Sequence, residues 1–163
     1  MEILKAEIED LEKIEKIYSD ARAFMSESGN PTQWQNGYPQ REILLADIDE
    51  KKLYKIVNED LILGVFYYAE GVDPTYEKIY FGKWKNDLPY AVIHRIAVSA
   101  DARGMGVAAL CFDFAFKKCA NLKIDTHKDN LQMQKALLKF GFEYCGIIHI
   151  SNGDERIAFQ KVK

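Results

Sequence analysis

The sequence has 163 residues, of which 48% are hydrophobic, 12% aromatic and 29% charged, enough for one soluble domain with a real core and too few for two large ones. Lys and Arg number 22 against 25 Asp and Glu, a formal charge of −3, so no basic excess exists to neutralise nucleic-acid phosphates and no nucleic-acid partner is expected. No apolar run of about 18 residues is present, and the acidic N-terminal stretch MEILKAEIEDLEKIEK is not a charged-then-apolar leader, so a cytoplasmic protein with no membrane partner is expected.

Met1 to Glu7 alternate weakly and suit a short opening strand. From Asp10 the period changes: Leu11, Ile14, Tyr18, Ala21 and Met25 predict an amphipathic helix that ends before Gly29-Asn30-Pro31. The turn-forming stretch TQWQNGYPQ follows, and Pro39 stands where a second helix with Ile43, Leu44 and Asp47 would start. Leu53 to Val57 and Leu61 to Ala69 flank Asn58-Glu59-Asp60 and predict a hairpin. Gly71 to Pro89 is irregular, aromatic and bounded by prolines, as for a long surface excursion.

Ala91 to Val98 (AVIHRIAV) is nearly apolar throughout and predicts a central strand. The helix that follows carries apolar stripes on two sides, Val107, Leu110, Cys111 and Phe114 on one and Ala108, Phe112, Phe116 and Cys119 on the other. Only Asp113 and Lys117 look solvated. Lys123 to His127 predicts a strand, Leu131 to Phe140 a helix ended by Gly141, and Phe142 to Ile150 and Arg156 to Val162 a terminal hairpin around Asn152-Gly153. The order is β-α-α-β-β-β-α-β-α-β-β, a mixed α/β sandwich read as one domain over residues 1–163. Cys111, Cys119 and Cys145 are odd in number and lack CxxC spacing, so buried thiols are expected.

The chemistry concentrates in IHRIAVSADARGMGVAALCFDFAF, a strand, a glycine-containing turn and a helix. The first N–H groups of a helix have no internal partners and the peptide dipoles add partial positive charge, so such a turn favours an anion; Arg103 adds a formal cation. Gly104-x-Gly106-x-x-Ala109 fits a dinucleotide fingerprint, but Ser99 to Arg103 separate it from the strand end.

Arg103-x-x-Gly106-x-Ala108 after IHRIAV resembles the acetyl-coenzyme A signature (Q/R-x-x-G-x-G/A) of the GNAT N-acetyltransferase superfamily, and DTHKDNLQMQKALLKFGF is similar to its second block. The resemblance covers essentially the whole chain. It implies an α/β (α+β) fold with a mixed central sheet, splayed parallel strands and about four flanking helices. It further implies that the backbone of Ile96, Ala97 and Val98 pairs with the pantetheine arm of acetyl-CoA. Met105, Gly106, Val107 and Ala108, with Arg103 and Gly104, would then cradle the pyrophosphate, and Asn130 would contact the cofactor past the splay. Lys135 or Lys139 would either meet nucleotide phosphates or be solvated helix charges. No metal is expected.

The pattern is incomplete, because Leu137 stands where the family usually carries a Tyr that protonates the departing thiolate, and Met133 replaces a small residue. Tyr144, Cys145 or water remain as donors. Attack on a thioester needs a neutral amine, so some group must take its proton. Asp125, His127 and His94 are the candidates; a free His titrates near pH 6.5, whereas a free Asp at about 3.9 would need desolvation or a relaying water. Each has a structural alternative: His94 as a core histidine, Asp125 as a strand-end cap or partner of Arg95, His127 as a cap of the next helix. His149 is expected to be structural.

Trp34, Tyr38, Tyr80 and Trp84 are the candidate acceptor-binding residues, in segments that also carry Tyr76, Phe81, Tyr90, Glu70, Asp73 and Glu77, a composition suited to a cationic amine with apolar surface. The alternative is that these rings anchor long loops. The expected activity is acetyl transfer from acetyl-CoA to a primary amine of a small molecule or peptide, by direct attack in a ternary complex. The alternative function is a non-catalytic acyl-CoA-binding or regulatory domain. Exposed aromatics and the terminal hairpin would suit a homodimer.

Overall fold

Leu11, Ile14, Ile17, Tyr18 and Ala21 are buried along one side of helix α1 (Leu11–Glu27), the stripe that helical spacing predicts. The computed structural model describes all 163 residues. Around α1 the chain runs β1 (Glu2–Lys5), α2 (Arg41–Asp49), β2 (Leu53–Asn58), β3 (Leu61–Glu70), β4 (Ala91–Val98), α3 (Val107–Lys118), β5 (Asn121–Thr126), α4 (Leu131–Phe140), β6 (Glu143–His149) and β7 (Glu155–Val162). Short 3-10 turns occupy Ile8–Asp10, Pro74–Tyr76 and Ala100–Ala102. The strands form a seven-stranded mixed sheet in the order β1-β2-β3-β4-β5-β7-β6. The expected element order and the mixed α/β class with four α-helices are observed; boundaries move by a few residues, as where β5 begins at Asn121 rather than Lys123.

Packing divides the chain into two compact units, residues 1–68 with 95–111 and residues 69–94 with 112–163; the chain crosses between them within β3, β4 and α3. In the first unit, β1 pairs antiparallel with β2 and β2 with β3. The buried face of α1 packs with Leu44 and Ile48 of α2, Leu53, Val65 and Ala97, and half-buried Trp34 covers the cluster. Burial of such side chains contributes about 1.5–3 kcal/mol each.

In the second unit, β5 pairs with β7 and β7 with β6, all antiparallel. β4 and β5 run parallel through a short ladder, Ala91 to Leu122 and Val92 to Lys123. Phe112, Phe140 and Phe142 form a ring cluster, and Leu137 is fully buried. Asp113 and Lys117 make an exposed ion pair at 2.6 Å, matching their solvated reading.

The excursion from 71 to 90 is closed at its base by the Gly71 N–H donating to Tyr90 O at 3.1 Å. Apart from the 3-10 turn at Pro74–Tyr76 it lacks regular structure, so it must satisfy its polar groups otherwise. The side chains of Asn86, Asn121 and fully buried Gln160 join it to β5 and β7: Gln160 donates to Asn121 Oδ1 at 2.7 Å, Asn121 donates to Asn86 Oδ1 at 3.0 Å, and Lys85 N–H donates to Gln160 Oε1 at 2.7 Å. At its tip, Tyr80 and Ile147 of β6 exchange two backbone hydrogen bonds of 2.8 Å. Gly82 lies so close to the Cys145 carbonyl that no Cβ fits there. Gly82→Ala is therefore expected to lift the tip from β6 and to cost about 1–3 kcal/mol, read from urea unfolding.

Candidate active site

Along β5, Asn121, Lys123 and Asp125 share one face by strand alternation. The excursion supplies partners to that face. Tyr76 donates its hydroxyl to Asp125 Oδ1 at 2.6 Å, and Lys123 Nζ stands 4.0 Å from the centre of the Tyr90 ring and 4.4 Å from that of Trp84. The Trp84 indole N–H donates to the Tyr76 carbonyl at 2.8 Å, and the two rings lie 5.3 Å apart. Burial and the adjacent Asp125 push the Tyr76 hydroxyl well above its usual range, so it remains a hydrogen-bond donor; burial lowers Lys123.

On β4, His94 Nε2 is 2.8 Å from Asp73 Oδ2, and His94 Nδ1 is 3.9 Å from Asp125 Oδ1. Asp73 is itself fixed: Oδ1 accepts from the Thr75 N–H at 2.9 Å and the Thr75 hydroxyl at 2.7 Å, and its own N–H donates to Tyr90 Oη at 2.9 Å. An ionised carboxylate can only accept, so it assigns the proton of neutral His94 to Nε2 and leaves Nδ1, on the side of Asp125, as the basic nitrogen. An imidazole oriented in this way can accept a proton from a bound nucleophile.

Burial favours the neutral form of Asp73, but hydrogen bonds from His94 and Thr75 outweigh it and hold the carboxyl down at about 2. A depressed folded value stabilises the fold above the unfolded value of about 4, and this stabilisation is lost as pH falls toward 2. Stability is thus expected to decline between about pH 4 and pH 2, and Asp73→Asn to flatten that part of the curve, as checked by circular dichroism in fixed urea.

His94 and Asp125 are neighbours, whereas His127 lies beyond the end of β5, its Nδ1 accepting the Asp129 N–H at 3.0 Å and its carbonyl accepting the Asn130 N–H at 3.0 Å. His127 thus caps the turn before α4, its structural alternative. Asn130 is the N-cap of α4, its side chain accepting from the Met133 N–H at 3.1 Å. Asp125 partners Tyr76, not Arg95. Asp73 and Tyr76 were legible only as a charge and a ring; Asp73-Pro74 does carry a capping signature, and Asp73 caps the 3-10 turn, but nothing local points its other oxygen at His94.

In the first unit, Arg95 lies within β4 with φ +53°, a left-handed conformation that costs a bulky residue about 1–2 kcal/mol. Its side chain is clamped. Nε and Nη2 donate to Asp47 Oδ2 at 3.0 and 2.6 Å, Nη1 donates to Tyr38 Oη at 3.2 Å, and the guanidinium lies 4.5 Å from the centre of the Tyr67 ring. Its carbonyl accepts from the Tyr18 hydroxyl at 2.7 Å. Ile96, Ala97 and Val98 follow directly.

Beyond them, the Met105 N–H donates to Ala102 O at 3.2 Å, and Gly104 and Gly106 take φ +81° and +79°. Nothing lies within 4 Å of where a Cβ would stand at either glycine, so conformation rather than crowding requires them, and the space beside the turn is open. Val107 and Ala108 begin α3, whose first-turn N–H groups have no partner within the helix. These features fit a diphosphate. Arg103 stacks on Phe24 of α1 at 3.9 Å rather than lying over the turn.

Of the expected acceptor-binding rings, Trp34 contacts Tyr18 and Tyr38 at 5.6 and 6.3 Å in the first unit. In the second, Trp84 covers Tyr76 while Tyr80 contacts His149 at 5.0 Å on β6. Tyr80 and Trp84 are thus anchored at different places. Tyr144 is exposed on β6, and burial raises the Cys145 thiol. No helix is long and apolar enough to cross a membrane, and no three His, Cys, Asp or Glu side chains are grouped to hold a metal ion.

The Acetyltransferase (GNAT) family model matches residues 11–142, and the chain belongs to that family: it is a GNAT acetyltransferase. It is similar to a GNAT-family acetyltransferase from Streptococcus agalactiae 2603, with 30% identity, a TM-score of 0.91, and 99% of this chain and 95% of that one covered. It shares its fold with a GNAT-family acetyltransferase from Listeria monocytogenes 4b F2365 (19% identity, TM-score 0.71, 98% and 93% covered) and an N-acetyltransferase from Staphylococcus aureus Mu50 (22% identity, TM-score 0.66, 99% and 97% covered). No curated protein matches the chain.

Proposed function

We propose that this acetyltransferase moves an acetyl group from acetyl-CoA to a primary amine by direct attack, with His94 as the proton acceptor. The observation that carries the reading is the pairing of Asp73, from the excursion, with His94 of β4, two residues before Ile96, with the Asp125 carboxylate 3.9 Å from the basic nitrogen. When bound, acetyl-CoA supplies the acetyl thioester. Ile96 to Val98 offer backbone groups to its pantetheine arm, and residues 103–108 offer N–H groups to its diphosphate. Two carboxylates beside one imidazole favour an amine that arrives as its ammonium form. Asp125 holds that cation and His94 Nδ1 takes one proton; the freed lone pair forms the N–C bond as the thioester C–S bond breaks, and the second proton lost by the nitrogen ends on the departing sulfur, which leaves as the thiol.

Tyr76 keeps the Asp125 carboxylate in place and Asp73 keeps the His94 tautomer. No covalent enzyme intermediate is required. Burial raises the Cys111 thiol far above its usual range, which makes it a poor nucleophile. The test is thiol release from acetyl-CoA across a panel of primary amines. Amine-dependent release supports transfer. Binding of acetyl-CoA with no amine accelerating release would instead favour the acyl-CoA-binding domain, a reading that Leu137 in place of the usual Tyr keeps in play. Absence of both would defeat the two together.

A further inference from the structure

We propose that Arg95 is a positioning residue for acetyl transfer, its clamped side chain existing to hold the left-handed kink that aims the backbone of Ile96 to Val98. The proposal rests on the reading that these three residues carry the pantetheine arm. Left-handed backbone at a large residue inside a strand persists only where its surroundings over-determine it, and it gathers where a backbone must be aimed. At Arg95 the surroundings do so from both ends. Asp47 of α2 accepts two hydrogen bonds from the guanidinium, Tyr38 accepts a third, and the Tyr67 ring lies against it.

Tyr18 of α1 then donates to the Arg95 carbonyl at 2.7 Å, fixing the peptide that joins Arg95 to Ile96. Tyr18 is fully buried and Asp47 nearly so, so neither contact is a chance surface pairing. A strand needing only a packed side chain at this position would place an apolar residue at ordinary β dihedrals. What the clamp adds is a turn of the strand immediately before the segment that would meet the thioester arm.

Glycine separates the two possible purposes, because it enters positive φ without strain, whereas Ala does so reluctantly and Val hardly at all. The comparison is best made with Asp47→Asn throughout, so that no buried carboxylate is left unpaired when the guanidinium goes. If the kink is the purpose, Arg95→Gly in that background retains acetyl-CoA affinity within about threefold of Asp47→Asn alone, while Arg95→Ala and Arg95→Val weaken it by about tenfold or more. Calorimetric titration with acetyl-CoA reads this without depending on turnover.

If Arg95 matters only as packing, the three variants bind alike, or Gly is the worst, and the proposal fails. Should the Arg95 variants not fold, Tyr18→Phe makes the same decision: it removes only the hydroxyl that fixes the Arg95 carbonyl. An increase of about threefold or more in the acetyl-CoA dissociation constant is expected from this lost hydrogen bond; an unchanged constant in the folded variant overturns the proposal. A parent protein that does not bind acetyl-CoA would instead remove the pantetheine assignment itself, and the present proposal with it.

Discussion

Replacing His94 by Gln is expected to lower kcat by about 10²–10⁴-fold while leaving acetyl-CoA affinity within about twofold. Gln retains an amide that can still donate to the Asp73 carboxylate 2.8 Å from Nε2, so the local packing survives, but it has no nitrogen that can take a proton. Asp73→Asn is the companion measurement. It leaves a partner for Nε2 but no longer dictates which ring nitrogen carries the hydrogen, so an intermediate loss in kcat is expected. A His94→Gln enzyme keeping a tenth or more of its turnover would remove His94 from the role and return it to Asp125. His127→Gln should be much milder, since that ring caps the turn at residues 127–130.

Gly106→Pro is expected to weaken acetyl-CoA binding by about 100-fold or more, equivalent to about 2.7 kcal/mol, in a protein that still folds. Proline is fixed near φ −65° and cannot adopt the +79° found here, and it removes one N–H from a turn whose donors are its chemistry. The fold should tolerate the change because Gly106 is exposed, nothing crowds it, and proline is accepted at the beginning of helices. Circular dichroism establishes folding and calorimetric titration reads affinity. A folded variant with unchanged affinity would move the diphosphate away from residues 103–108.

Much of the architecture was legible because its signals are periodic. The apolar run of β4, the stripe of α1 and the doubly apolar α3 each state a burial pattern that only one element satisfies. Gly141 ends α4 as expected, in the left-handed conformation. The active-site partners were harder to read because they arise from tertiary contact. Asp73 and His94 lie 21 residues apart, joined by an excursion without a period, and Tyr76 and Asp125 lie 49 apart. The kink at Arg95 is also invisible locally: arginine in AVIHRIAV reads as an ordinary strand residue, and its partners Asp47 and Tyr38 come from elements that composition alone does not bring to it. The structural alternative that paired Asp125 with Arg95 yields for the same reason, each residue finding a partner from a remote segment.

The Tyr80–Ile147 bridge lies on β6, one of the two border strands of the sheet, and it has a consequence for how this chain behaves in concentrated solution. An uncovered border strand is a template on which a second chain can add itself, the first step toward fibrils. By occupying the middle of that border with one residue of its own, the excursion acts as a gatekeeper against self-templating. Shortening the excursion would remove that guard together with Asp73 and Tyr76, so solubility and chemistry are expected to fall together.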